Sequence, residues 1–198
     1  MQNRDNFEIS ISNECYEKMV RHCLRKLNGM YLLEEYHEQQ AYGLLGGSIE
    51  RNKVVVDTVE PLYLNYRIAG NIKQDMDATI KKFAIPAKLP IEERAWVADP
   101  IETKNIINRL KKSGLTLIGT YHMHHSNSWI GLESKELPTT LDRVLASDTE
   151  LFMFIVSIDE FQNSKIRAFY EGALETEAVI KTISMLNIKN RGECLCRY

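Results

Sequence analysis

The segment LTLIGTY, residues 115–121, is apolar enough to be a buried strand, and it runs straight into His122-Met123-His124-His125. Side chains alternate between the two faces of a strand, so His122 and His124 project to the same side, where both imidazoles can reach one ion. A bare H-x-H is a weak signal, because loop histidines are common. A carboxylate downstream strengthens it: Asp142 lies in PTTLDRVLAS (138–147), which reads as a short helix with Pro138 near its start. Two imidazoles and a carboxylate suit zinc, whose catalytic sites use three protein ligands and keep one position open.

Around this segment the chain alternates helix and strand patterns. Residues 13–27 carry Tyr16, Met19, Val20, Cys23, Leu24 and Leu27 at three- and four-residue steps, an amphipathic helix stopped by Asn28-Gly29. Residues 30–37 are ambiguous and compatible with a second short helix. AYGLLGGSIE and KVVVDTVEPLYL read as two strands joined by a tight turn near Arg51-Asn52. Residues 66–95, broken by Pro86 and Pro90, read as an excursion from the core with a helix around 72–83. Asp99 then caps a helix with Pro100 at its first position and Glu102 at capping-box spacing; Ile106, Ile107 and Leu110 supply its buried face and Gly114 ends it. LFMFIVSI (151–158) and KIRAFYEG (165–172) form a last strand pair, and 174–187 fits helix or strand equally. The expected class is α/β, a single domain over 1–198 with one mixed curved sheet flanked by helices.

The chain has 198 residues, 44% of them hydrophobic and 26% charged, which suits one domain with a substantial core. A formal net charge of -2 with scattered Lys and Arg argues against a broad nucleic-acid footprint. No apolar run reaches the roughly 20 residues of a membrane span, and the first residues lack a secretory core, so a cytoplasmic protein without a membrane partner is expected. Cys15, Cys23, Cys194 and Cys196 are then expected as thiols, with no role assigned to the last pair.

The ordered combination of QAYGLLGGS, LTLIGTYHMH and PTTLD, followed by IRAFYEG, resembles the JAMM, or MPN-plus, zinc metalloproteases over roughly residues 12–172. That family carries a glutamate on an early strand, then H-x-H, seven residues, a serine, two residues and an aspartate. The resemblance implies an MPN (JAMM) fold, Zn2+ as cofactor, and His122, His124 and Asp142 as its ligands. It implies an amide-bond hydrolase, a deubiquitinase-like isopeptidase whose partner is the C-terminal tail of ubiquitin or a ubiquitin-like protein. Thr139 stands at the serine position and keeps a hydroxyl able to donate to a developing oxyanion.

Three further departures bear on activity. Fourteen residues separate His124 from Thr139, so the 125–138 loop is enlarged; its Trp129 and Ile130 are candidate substrate contacts, equally readable as residues tucked against the core. His125 replaces the family's proline and on a strand would point away from the metal. The catalytic glutamate position is occupied by Gln40. In the family's mechanism that glutamate takes a proton from the attacking water and delivers it to the leaving amine, which an amide cannot do. The loss costs a factor of about 10² to 10⁴ in rate. Three explanations stand: Glu38, two residues earlier, takes over; the chain is a pseudoenzyme that binds without cutting; or a glutamate was deliberately changed to glutamine to trap substrate. The intact ligand set favours the third. The alternative function is a catalytically dead MPN interaction module that binds a protein partner.

Overall fold

The computed structural model describes residues 7–125 and 135–184. Its elements are β1 (Glu8–Ser12), α1 (Asn13–Leu27), β2 (Tyr42–Glu50), β3 (Lys53–Leu62), α2 (Gly70–Phe83), α3 (Pro100–Lys112), β4 (Thr116–His125), α4 (Thr140–Ala146), β5 (Phe152–Ile158), β6 (Ser164–Tyr170) and β7 (Glu177–Ile183), with 3-10 turns at Ile91–Glu93 and Leu174–Thr176. The strands close into a barrel in the order β1-β3-β2-β4-β5-β6-β7. The pairs β1–β3, β4–β5 and β1–β7 are parallel and the other neighbours antiparallel.

This corrects the expected α/β architecture, an MPN-type single curved sheet flanked by helices. The closure rests on β1 and β7, whose parallel register runs from Glu8↔Val179 to Ser12↔Ile183. Neither strand stands out locally: β1 is five residues long, and β7 buries only Ala178 while Val179, Lys181 and Thr182 are exposed. Their pairing joins the two ends of the described chain and leaves the sheet without an edge there.

The central core is built from alternate residues of the strands, among them Ile9, Ile11, Leu45, Val54, Val56, Ile118, Phe152, Phe154 and Val156. Helix α1 contributes Met19 and Cys23 to it and contacts β1, β3, β4, β5 and β7. Ser12 caps α1 by accepting from the Cys15 N–H, and Gly29 follows its end at φ 69°. The stretch 30–37 contains no helix and is held by the base of α1. Arg25 pairs with Glu35 through Nη1 and Nη2, and buried Lys26 donates to Tyr36 O at 2.8 Å.

On the other face of β2, Leu44 and Leu62 pack with Trp96 and with Ile106 and Leu110 of α3. Asp99 caps α3 as its spacing suggests, but Glu102 does not close a capping box; it accepts the Tyr63 and Leu64 N–H groups at 2.9 and 3.0 Å. Ile107 is only half-buried. Gly43 of β2 lies under the Tyr121 ring and leaves no room for a Cβ, so Tyr121 can cross it and reach His22 Nδ1 at 2.8 Å.

The excursion at 66–95 is ordered by one side chain. Arg67, 1% exposed, pairs with Asp77 of α2 and donates to Arg94 O, Lys73 O and Ile91 O, each at 3.2 Å. Among the described residues the free cysteines Cys15 and Cys23 are buried; Cys194 and Cys196 lie outside the described residues. No helix among the described residues is long and apolar enough to cross a membrane.

Candidate metal centre

His122 and His124 are carried by β4, which extends through His125 rather than ending at residue 121. Parallel pairing with β5 sets His122 opposite Ile155 and His124 opposite Ser157, while pairing with β2 sets His122 opposite Tyr42. Asp142 comes from α4, where Thr139 is the N-cap. The Thr139 N–H and Oγ1 each donate to Asp142 Oδ2 at 2.7 Å, and the Asp142 N–H returns a bond to Thr139 Oγ1 at 3.2 Å. This reciprocal capping box fixes the helix start and aims the carboxylate in one operation.

The three ligand atoms converge. His122 Nε2 and His124 Nε2 are 2.9 Å apart, and Asp142 Oδ1 and Oδ2 lie 3.5 and 3.4 Å from them respectively. Ligand atoms around a tetrahedral zinc with bonds of about 2.0–2.2 Å are about 3.3–3.5 Å apart; the two Asp142 separations match this, while the imidazole nitrogens stand closer and would part by about 0.5 Å to admit such an ion. The tautomer of His124 fits as well. Its Nδ1 faces Lys135 O at 3.0 Å, and a carbonyl can only accept, so the proton sits on Nδ1 and Nε2 presents a lone pair. His122 Nδ1 is buried without a hydrogen-bond partner among the described residues. His125 is outside the converging group.

Electrostatics favour the ligand forms of these groups. Burial alone would raise the Asp142 carboxyl, but His122 and His124 beside it hold it well below the usual carboxylate range. Burial pushes His124 down, against the pull of Asp142, and keeps the imidazole neutral. A carboxylate and a neutral imidazole are the states in which these side chains bind a divalent ion.

The triad opens into a cleft of about 250 Å³. Its barrel side is formed by Tyr42, Met123 and Phe152, its α4 side by Leu141 and Leu145, and its far side by Ile85, Ala87 and Leu89 of the excursion. The excursion is therefore a wall of the site. Tyr42 stacks between Trp96 and His122, with ring centroids 6.3 and 5.8 Å away.

Gln40 also lines the cleft, and its Nε2 donates to Glu93 O in the 3-10 turn of the excursion. Glu38 does not reach the site: it is outside the cleft lining, and its Oε2 accepts from Asn65 Nδ2 at 3.0 Å. Thr139 lines the cleft, but its hydroxyl is engaged with Asp142, so here it positions a ligand. Trp129 and Ile130 lie outside the described residues. Sequence reasoning missed the Tyr42–Trp96 stack, Arg94 in the cleft wall and the Lys135 carbonyl that orients His124. Of these only Tyr42 carried a local signal, being two strand positions from Gln40 and so on its face.

No family model matches the chain. No curated protein matches it either. Among solved structures it is similar to the solution structure of a protein from Desulfitobacterium hafniense, at 20% identity over 89% of this chain and 93% of that one, with a TM-score of 0.55. A protein from Salinibacter ruber aligns at 14% identity over 87% and 90% of the two chains, with a TM-score of 0.49. At 20% identity the first likeness concerns the fold alone.

Proposed function

We propose that this chain carries the site of a zinc-dependent amide hydrolase, a peptidase or isopeptidase acting on the tail of ubiquitin or a ubiquitin-like protein, kept slow or inactive by Gln40. The observation that carries this reading is the convergence of His122, His124 and Asp142 in an open cleft, with the His124 lone pair directed at the other two donors. Zinc, when bound there, supplies Lewis-acid activation of carbonyl and water at neutral pH. The chain's own residues do the rest. Tyr42 and Trp96 wall one side of the reacting region, Thr139 keeps Asp142 aimed, and Gln40 can hold a water but cannot take its proton. Apart from His122, His124 and Asp142, the lining offers no carboxylate or imidazole to replace it among the described residues.

The second reading, a binding module that does not cut, is favoured by the bond between Gln40 Nε2 and Glu93 O. An amide nitrogen suits that carbonyl, whereas a carboxylate would face it with like charge. The two readings part on Gln40→Glu. With zinc present, cleavage of a ubiquitin-like isopeptide conjugate should rise by about 10² to 10⁴ and be abolished by a chelator. The variant should also melt slightly earlier, because the lost hydrogen bond contributes about 0.5–1.5 kcal/mol. If neither form cuts although zinc is bound at one equivalent, the hydrolase reading gives way to the module.

A further inference from the structure

Arg94 differs from the other paired arginines of this chain. Arg21, Arg25, Arg67, Arg109 and Arg167 each meet a carboxylate, respectively Glu17, Glu35, Asp77, Glu60 and Glu177. Arg94 has no acidic partner among the described residues. Its side-chain bond is from Nη2 to Ile85 O at 2.6 Å, which leaves the rest of its guanidinium fork unused. Yet Arg94 is half-buried, and among the described residues it is the one Lys or Arg that lines the cleft. Burial pushes its guanidinium down from the ordinary value with nothing acidic to offset it.

The position is also fixed in advance. The Arg94 carbonyl is held by Arg67 Nε at 3.2 Å, and the carbonyl before it, Glu93 O, by Gln40 Nε2. Ala95 follows at φ 65°, a left-handed conformation that a non-glycine residue adopts only at a cost. That turn lets Arg94, Ala95 and Trp96 all line the cleft. A partly desolvated guanidinium on a pinned backbone, facing an apolar wall, matches a ligand that presents a carboxylate next to an apolar side chain.

We propose that Arg94 is the anion-recognising residue of the cleft, and that the ligand is a peptide segment carrying a carboxylate beside an apolar side chain, the carboxylate on Arg94 and the side chain against Ile85, Ala87 and Leu89. That this ligand is also a substrate rests on the hydrolase reading; the binding site stands or falls independently of cleavage. A carboxylate can come from a peptide C-terminus or from an acidic side chain, and the probes separate these sources. Acetyl-Phe-Leu with a free C-terminus, the same dipeptide as its amide, and acetyl-Phe-Glu amide are titrated calorimetrically into the full chain with metal removed by chelation, so that no carboxylate reports on a metal.

The free acid should bind about tenfold tighter than its amide, the equivalent of one charge-assisted pair. The glutamyl amide should match the free acid if any carboxylate serves, and should match the neutral amide if the C-terminus is what is read. In Arg94→Gln the preference for the acid should disappear; in Arg94→Lys part of it should remain. Equal binding of acid and amide to the unaltered chain overturns the proposal without recourse to any variant, as does binding of neither. Persistence of the preference in a folded Arg94→Gln overturns it as well. Failure of Gln40→Glu to cleave, by contrast, leaves this result untouched.

Discussion

The two walls of the cleft are built by different physics. On the barrel side, β2, β4 and β5 are packed so closely that Gly43 lies against the Tyr121 ring, and the strands bury Leu45, Ile118 and Phe154 completely. The excursion at 66–95 buries little by comparison: Ile80 is the one fully buried apolar residue of α2, and the segment is held by the bonds of Arg67 and the Gln40–Glu93 contact. A metal site needs a fixed geometry, and two of the three residues that could hold an ion stand on the barrel. A wall that selects a ligand tolerates, and can use, a looser and more polar attachment. The difference implies that the two walls can be unfastened separately.

The largest separation should come from Arg67→Met. The change removes the partner of Asp77 and the donor to the Ile91 and Arg94 carbonyls, and each carbonyl left buried without a partner costs about 1–3 kcal/mol. Hydrogen exchange should then lose protection across residues 66–95 while β4 and β5 keep theirs, and zinc binding by His122 and His124 should persist. A uniform loss of protection through barrel and excursion together would break the comparison.

Mild acid should strain the opposite wall first. His22, packed against Tyr121 with Nε2 buried and without a hydrogen-bond partner among the described residues, has its pKa lowered from 6.5 to about 3, chiefly by burial and then by Arg25 and Lys26. A folded-state pKa below the unfolded one means the unfolded chain binds the extra proton. The contribution of His22 is therefore complete above 6.5 and is lost as pH falls towards 3, by up to about 1.4 kcal/mol per pH unit. The Asp77 carboxyl is held below 3.8 by its hydrogen bonds with Arg67 and then Lys73, so its contribution is present above 3.8 and fades only at lower pH. Between these values the barrel weakens while the clamp on the excursion persists. Denaturant titrations at pH 7, 6 and 5 should give a shallower decline for His22→Gln than for the unaltered chain; equal slopes would refute the assignment.

What could be read from the sequence follows the same division. The convergence of His122 and His124 was legible because both lie within one strand two positions apart, whereas Asp142 joined them through the resemblance of PTTLD to the family's motif. Helices α1 and α3 announced themselves by periodicity and caps. The barrel closure was hidden, since it depends on Ile9 meeting Ile180 and not on any local pattern. The expectation of an open curved sheet failed for that reason. The far wall was hidden likewise: nothing near Gln40 announces Glu93, and nothing near Arg94 announces Ile85, because such polar contacts carry no periodicity.

Of the three residues that could hold a metal, Asp142 is the one that does not ride on a barrel strand, so the smallest of these changes tests how much that matters. Thr139→Ala removes the hydroxyl that donates to Asp142 Oδ2 and accepts from the Asp142 N–H. Loss of the cap should cost about 1 kcal/mol in a thermal melt. Loss of the bond to the ligand should weaken zinc about 10–100-fold in competition with a chelator, the usual effect of removing a group that orients a metal ligand. Thr139→Ser keeps the hydroxyl without the methyl and should restore both values. If Thr139→Ala binds zinc as tightly as the unaltered chain, the Thr139 N–H bond at 2.7 Å suffices to aim the carboxylate, and α4 is as firm a mount as β4. If Thr139→Ser also fails, the mount depends on how the methyl of this buried side chain packs, and the third ligand belongs with the barrel's kind of construction rather than the excursion's.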